Sequence, residues 1–323
     1  MRTKPIFLHF GLIWLCCLLS WSPVGQANQL TFLPQWSPQA QFAGYYVAAE
    51  KGFYRQHGVE LTLLRGGPQL PAGKALASKE AEIVTLFLST ALQHRDKGVP
   101  LVNLAQIVQK SALLLVAKKS SGIKTPEDLD GKKVSLWDEF SIQPKALFKR
   151  YRLDVQIIPQ SYTLNLFLRN GVDAASAMWY NEYHTLLTSG YEESDLTVFF
   201  LDQFGINFPE DGIYTLEETY NAKPALCHAF VKASIEGWTY AFQHEEEALD
   251  FVMKYVEEAN LPTNRVHQQW MLRRMKDIIL PLHHDGALGD LKEDDYTYVT
   301  DILRSYQVIG STPDYSTFIR REP

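Results

Sequence analysis

Aromatic and acidic side chains follow the ends of three stretches of the chain that have the composition of β-strands. Leu30 to Leu33 is a short apolar run, Lys133 to Trp137 alternates between polar and apolar residues, and Ala174 to Ala177 consists of small residues. The side chains that follow are Trp36, Trp137, Asp138, Glu139, Trp179, Asn181 and Glu182. Aromatic faces stack on flat rings, and carboxylates accept hydrogen bonds from N–H groups. The set is therefore suited to a flat, nitrogen-rich molecule that is neutral or cationic.

Three further residues complete the predicted ligand-binding set: Tyr45, Phe87 and Asp211. Asp211 belongs to the polar, glycine-containing stretch from Asp202 to Gly212, which is typical of a segment that crosses between two lobes. Turn formation is the alternative role for Asp211 and for its neighbour Asn207.

The candidates after the second strand have a purely structural alternative. Trp137 and Phe140 could pack in a core, with Asp138 and Glu139 in a solvated turn. The aromatic cluster that begins at Trp179 has the same alternative, because clustered aromatic residues usually pack in protein cores.

Basic residues bear on the ligand's charge. A nitrate or sulfonate ligand requires arginine, lysine or free amides at a helix N-terminus. Arg65 follows the predicted second strand and Lys74 lies near it, so an anion remains an alternative. The aromatic and acidic candidates favour an aminopyrimidine over an anion. Riboflavin-like rings rank between these two classes of ligand.

The stretch from Leu30 to Leu64 predicts the local fold that positions Trp36. Ser37 is expected to cap a helix, whose apolar face recurs at helical spacing from Phe42 to Phe53. The alternating segment Val59 to Leu64 predicts a second strand. A strand, helix, strand unit of this length implies a right-handed crossover and a parallel sheet, and ligands bind at the carboxyl ends of such strands.

Two motifs carry a family resemblance. Lys51-Gly52-Phe53-Tyr54, followed by Gly58-Val59-Glu60-Leu61 and preceded by Trp36, resembles the substrate-binding proteins of the sulfonate-binding and thiamine-pyrimidine group. The stretch from Gly122 to Val134 (GIKTPEDLDGKKV) is similar to the cap, short helix and strand entry of type II periplasmic binding proteins. The resemblance implies an α/β fold with two lobes, a ligand cleft between them, and an ABC permease with its ATPase as partners.

The resemblance also implies how the chain is divided. Residues 28–117 and 206–323 are expected to form lobe one, including an apolar strand from Ala112 to Ala117, and residues 118–205 are expected to form lobe two. Ordinary domain sizes accommodate both lobes.

An enzyme is the third alternative that the resemblance raises. Fungal pyrimidine synthases of this group hold pyridoxal phosphate on a lysine and use a nearby histidine, and the matching positions here are Leu86 and Thr90. Without an amine no Schiff base forms. We therefore expect no catalysis and no cofactor.

The first 27 residues predict a cleaved secretory signal peptide. Arg2 and Lys4 precede an apolar core from Ile6 to Leu19, and Gly25-Gln26-Ala27 is a small-residue cleavage site. Cleavage would leave a periplasmic or otherwise extracytoplasmic protein, with lipidation at Cys16 as an alternative.

The predicted mature chain is acidic and has a single cysteine. Cleavage removes Arg2 and Lys4, which takes the formal charge from −6 to −8 and leaves Cys227 without a disulfide partner. Nucleic acid is a poor candidate as a partner because its binding depends on neutralising phosphates. We expect a monomer.

The C-terminal third offers only weak signals of chemistry. Pro262 to Leu280 has helical spacing and predicts packing for lobe one, with Arg273 and Arg274 on the surface. His283-His284-Asp285 lacks a second spaced cluster, so no metal is expected.

The sequence therefore predicts an extracytoplasmic solute-binding protein of an ABC importer that closes on a thiamine pyrimidine precursor. The alternatives are a ligand-sensing protein that presents its closed form to a membrane receptor, and a binder of riboflavin, nitrate or an alkyl sulfonate.

Overall fold

The computed structural model describes residues 28–281 and 287–321 and contains two five-stranded β-sheets. We call the parts built on them the first and second lobes. The first sheet has the order β2-β1-β3-β10-β4 and the second β7-β6-β8-β5-β9. The strands are β1 Gln29–Leu33, β2 Glu60–Leu63, β3 Ile83–Phe87, β4 Leu101–Gln106, β5 Leu113–Lys118, β6 Lys133–Leu136, β7 Gln156–Pro159, β8 Ala174–Met178, β9 Leu196–Phe200 and β10 Asp211–Leu216.

Helices connect and cover the strands. They are α1 Ala43–Glu50, α2 Phe53–Gln56, α3 Ala72–Ala77, α4 Leu88–Asp96, α5 Ile142–Tyr151, α6 Asn165–Leu168, α7 Glu182–Thr188, α8 Glu217–Ala222, α9 Pro224–Gln243, α10 Glu245–Glu258, α11 Arg265–Ile279, α12 Glu293–Ser305 and α13 Tyr315–Phe318. Within the described residues, none of these helices is long and apolar enough to cross a membrane. The predicted signal peptide and His283 to Asp285 lie outside the described residues.

The first sheet confirms the parallel pairing predicted from the sequence. Strand β1 runs parallel to β2, with Gln29 opposite Glu60, and parallel to β3. Strands β3, β4 and β10 are buried along their whole length, as expected for strands covered on both faces. Strand β10 inserts antiparallel between β3 and β4, so its first residue lies at the edge where β1 and β3 end.

The apolar strand predicted at Ala112 to Ala117 exists but belongs to the second sheet, which corrects its expected place in lobe one. It is β5, and it pairs antiparallel with β8 and β9. Periodicity identifies a buried strand but not its partners. The division of the remaining chain into lobes stays a prediction.

Two segments cross between the sheets and are hydrogen-bonded to each other. One joins β4 to β5 and the other joins β9 to β10. The Ser111 backbone N–H donates to Asn207 Oδ1 at 2.9 Å, and Asn207 Nδ2 donates to the Gln109 carbonyl at 3.1 Å. Asn207 therefore acts within the crossing region, in the structural role that the sequence left open for it.

The segment after β1 differs from the predicted capped helix. A 3-10 turn at Ala40–Phe42 precedes α1, and Phe42 stands at the N-cap, so Ser37 caps nothing. Gly52 takes a left-handed conformation (φ 75°) and separates α1 from α2, as its position in the sequence suggested. Helix α1 packs directly on α9, because Gly44 leaves room for the Trp238 ring and Gly237 lies against the Gly44 carbonyl.

Replacing Gly237 by alanine tests this contact. An added Cβ would collide with the Gly44 carbonyl oxygen, and we expect Gly237→Ala to lower the free energy of unfolding by about 2 kcal/mol. Urea denaturation measures the change. Gly310→Ala is the matched control, since the nearest atom to its Cβ would be Asp96 Oδ1 at 3.8 Å and the change should stay within about 0.5 kcal/mol. Equal stabilities of the two variants would contradict the packing argument.

Candidate functional site

Asp211 lies at the edge of the first sheet where β1 and β3 end. As the first residue of β10, it pairs with Phe87 at the end of β3. Its two carboxylate oxygens accept hydrogen bonds from the side-chain amides of Gln35 and Gln41, the latter at 2.7 Å. Both glutamines come from the segment after β1, so Asp211 ties that segment to the crossing region.

Glu210 is buried beside Asp211 and links the crossing segments to the second lobe. One of its oxygens accepts from the Ala112 backbone N–H at 2.6 Å and from the Ser111 hydroxyl at 3.4 Å. Tyr180, which follows β8, is buried and hydrogen-bonded to the same carboxylate. Residues of both lobes therefore meet around Glu210.

Glu182 is a third buried carboxylate of this region and belongs to the second lobe. Its carboxylate accepts from the Met178 backbone N–H at 3.0 Å and from Asn181 Nδ2 at 2.8 Å. Burial raises the pKa of Tyr180, and the charges of Glu210, Asp211 and Glu182 raise it further. We call Glu182, Glu210 and Asp211 the acidic cluster.

Burial controls the protonation of the acidic cluster. It raises the pKa of Asp211 and of Glu182 to about 7 and that of Glu210 to about 8, and hydrogen bonds from amides and backbone N–H groups offset this only in part. The partners of these carboxylates are amides, hydroxyls and N–H groups. A ligand that brings N–H groups or a positive charge would relieve the cost of burying them.

Aromatic rings from the two lobes face each other near the acidic cluster. The Trp36 ring is half-buried, with its centroid 5.6 Å from that of Tyr162, which is 73 % exposed. The ring centroids of Phe87 and Phe140 are 4.9 Å apart, and the Phe140 ring lies edge-on to Trp137 with a centroid distance of 6.4 Å. These contacts place Trp36, Phe87 and Trp137 where the two lobes meet.

Other predicted site residues lie elsewhere. Tyr45 is 1 % exposed and packs in the core of the first lobe against Phe32 and Trp238. Asp138 and Glu139 are exposed in the turn that precedes α5. Burial and then the charge of Asp211 raise the pKa of Tyr45, whose hydroxyl has no hydrogen-bond partner among the described residues, so its place in the site stays a prediction.

Trp179 and Asn181 contact α11 of the first lobe. The Arg274 guanidinium lies 4.7 Å from the Trp179 ring centroid and 4.9 Å from that of Trp270, and Trp270 Nε1 donates to the Trp179 carbonyl at 3.0 Å. Asn181 Oδ1 is 2.8 Å from His267 Nε2. Arg274 is therefore partly buried between two aromatic rings and pairs with Asp277, while Arg273 is exposed as predicted and pairs with Glu245.

Sequence reasoning missed several residues of this region: Gln35, Gln41, Thr90, Tyr180, His184, Glu210, His267 and Trp270. The two glutamines follow Pro34 and Ala40 within the same loop as Trp36, and that proximity was the available signal. Thr90 lies in the first turn of α4, and its buried hydroxyl has no hydrogen-bond partner among the described residues. Within the described part of the chain, no cluster of three or more His, Cys, Asp or Glu side chains could hold a metal.

The chain matches a family model and is similar to binding proteins that are named for different ligands. Residues 39–248 match the family model described as NMT1/THI5 like. The riboflavin-binding protein RibY of Chloroflexus aurantiacus is 26 % identical over 250 residues, covering 72 % of this chain and 68 % of its own. The formylaminopyrimidine-binding protein of Halalkalibacterium halodurans is 21 % identical over 234 residues, 70 % of each chain.

A solved structure supports the fold. The periplasmic aliphatic sulphonate binding protein SsuA from Escherichia coli superposes with a TM-score of 0.70 at 15 % identity, over 92 % of this chain and 93 % of that one. The two mixed sheets thus form the α/β fold of type II periplasmic binding proteins, which confirms the predicted fold class.

The raised pKa values of the acidic cluster predict how stability depends on pH. A carboxyl whose pKa is higher in the folded than in the unfolded protein binds more protons when folded, so stability falls as pH rises towards the folded value. We expect the free energy of unfolding to fall between about pH 4.5, near the ordinary carboxyl pKa, and about pH 8, and to fall less in Asp211→Asn. Asp154→Asn, at an exposed position, is the control. Chemical denaturation at several pH values measures the slopes, and equal slopes in the variant and the wild type would exclude this role for Asp211.

Proposed function

Because the chain belongs to the NMT1/THI5-like family, we propose that it is the solute-binding protein of an ABC importer and that it binds an aminopyrimidine, a thiamine pyrimidine precursor, between its lobes. The observation that carries the proposal is the buried carboxylate of Asp211, whose oxygens accept hydrogen bonds, among the described residues, from the amides of Gln35 and Gln41 alone. Each oxygen has a second lone pair for a ligand N–H.

Charge supports an N–H donor over an anion. Burial raises the pKa values of Glu182, Glu210 and Asp211 to about 7 to 8, and an anion beside them would disfavour their ionised forms further, whereas an N–H donor or a cation would favour those forms. An aminopyrimidine presents an exocyclic amine to a carboxylate and ring nitrogens that accept hydrogen bonds. The unpartnered hydroxyl of Thr90 is a donor available to such a nitrogen.

The aromatic contacts support a stacked ring. Trp36 is half-buried and faces Tyr162 of the second lobe. A flat ligand between the lobes would stack on the indole, and this contact forms only when the lobes close. Asp211 is 2 % exposed, so a ligand reaches it only when the lobes move apart. Binding therefore favours closure through contacts formed only in the closed state.

The partner and compartment follow from the proposed role. The importer's permease and ATPase would supply the energy of transport. The relatives with solved structures include a periplasmic protein, in agreement with the predicted secretion of this chain. Leu86, the position that matches the lysine of the fungal synthases, is a buried residue of β3, so catalysis through a Schiff base is not part of the proposal.

Thermal unfolding of residues 28–323, refolded to remove any carried ligand, tests the proposal. The panel consists of aminopyrimidines, riboflavin, nitrate and alkyl sulfonates. A ligand at about 100 times its dissociation constant stabilises the native state by about 2.7 kcal/mol, which raises the midpoint by several degrees. We expect a shift with the aminopyrimidines. A shift with riboflavin alone or with the anions alone would retain the fold and overturn the ligand.

Truncating Trp36 tests the stacked ring. Trp36→Ala should weaken calorimetric binding of the aminopyrimidine by more than about 1 kcal/mol, because an aromatic stack is lost. Tyr220→Ala is the control, since Tyr220 lies in α8, beyond the far end of β10 from Asp211. Unchanged affinity in Trp36→Ala would remove Trp36 from the site.

A further inference from the structure

Two histidines join α11 of the first lobe to α7 of the second. His184 Nδ1 is 2.9 Å from His267 Nδ1, and His267 Nε2 is 2.8 Å from Asn181 Oδ1. Two imidazole nitrogens at that distance attract each other only if one carries a hydrogen and the other a lone pair. We call His184, His267 and Asn181 the histidine clasp.

The surrounding hydrogen bonds determine which ring nitrogens of the clasp carry a hydrogen. Asn181 Nδ2 donates to Glu182, so Asn181 Oδ1 is the atom that accepts from His267 Nε2–H. A neutral His267 then has its lone pair on Nδ1, and His184 must donate from its own Nδ1. Both imidazoles are neutral in this arrangement. One added proton can be held between the rings, because the N–H of one still meets the lone pair of the other, but protonation of both rings sets two N–H groups against each other.

The groups packed around the clasp do not stabilise the positive charge of an added proton. Trp270 stacks on His184 with centroids 5.0 Å apart, and the Arg274 guanidinium lies over the Trp270 ring. Glu182 reaches the clasp only through Asn181. Arg265, at the start of α11, is paired with Glu246 and Asp250 of α10.

We propose that the His184–His267 contact couples closure of the two lobes to pH. The contact joins α7 to α11 while at least one imidazole keeps a lone pair at the contact, and protonation of both rings separates the helices and opens the cleft. The role of this opening in ligand release rests on the proposed function, whereas the coupling itself does not.

Burial gives the pH window and its sign. It lowers the pKa of His267 to about 4 and also lowers that of His184, whereas separated imidazoles return to an ordinary value of about 6.5. The clasp therefore binds more protons in the open form below pH 6.5, and its contribution to closure is lost as pH falls from there towards 4. The acidic cluster acts in the opposite sense over the same range, because burial raises the pKa values of Glu182, Glu210 and Asp211 and closure therefore favours their protonation. The effect of the clasp is thus the difference between the wild type and a variant without the two imidazoles.

Electron spin resonance distance measurements on the ligand-free protein test the coupling. Spin labels at Ser120→Cys and Ser316→Cys report on the second and first lobes at exposed positions, and the buried Cys227 stays unlabelled. The variant His184→Asn, His267→Gln lacks titratable rings and shows the effect of the acidic cluster alone. Relative to this variant, we expect the ratio of closed to open wild-type protein to fall at least tenfold from pH 7 to pH 5.

A matched variant and a fold check make the result decisive. His57→Gln removes a histidine paired with Glu236 in the first lobe and should behave as the wild type does. Circular dichroism at each pH identifies unfolded samples, and His184→Asn alone replaces the double variant if that does not fold. The same pH dependence of the distances in the wild type and in the clasp variant would overturn the proposal. Neither result depends on the identity of the ligand.

Discussion

The structure depends on carboxylates buried at the junction of the two lobes. Glu210 holds the start of β5 through the Ala112 N–H, and Asp211 holds the segment after β1 through Gln35 and Gln41. Desolvating a carboxylate is costly, and hydrogen bonds must offset the cost. The same two residues thus organise the crossing segments, fix the loop that carries Trp36 and give the junction its negative character.

Closure and ligand choice follow from this arrangement. The acidic cluster disfavours an empty, ionised cleft, and a ligand with N–H groups relieves that strain at the place where the lobes meet. Trp36 with Tyr162, and Phe87 with Phe140, bring apolar surface to the same boundary. The contacts of α11 with Trp179 and Asn181 form a second boundary, at which proton balance rather than ligand contact determines the geometry.

The local sequence pattern predicted the helices and strands well, because burial and turn formation depend on residues that are close in the sequence. The β1–β2 pairing and the strand before Trp179 followed from alternation and small residues. The sheet that contains β5 could not be predicted, since periodicity does not name a strand's partners. The packing of the Tyr45 ring against Trp238 could not be predicted for a similar reason, because a helical face is apolar whether it lines a cleft or a core. His184 and His267 lie 83 residues apart, so only the fold brings them together.

A crystal structure of residues 28–323 with a bound aminopyrimidine tests the central claim most directly. The account predicts the ring beside Trp36 and its exocyclic amine within hydrogen-bonding distance, about 2.7 to 3.2 Å, of the Asp211 carboxylate. A ligand bound away from Asp211, with the carboxylate contacting only Gln35 and Gln41, would contradict it.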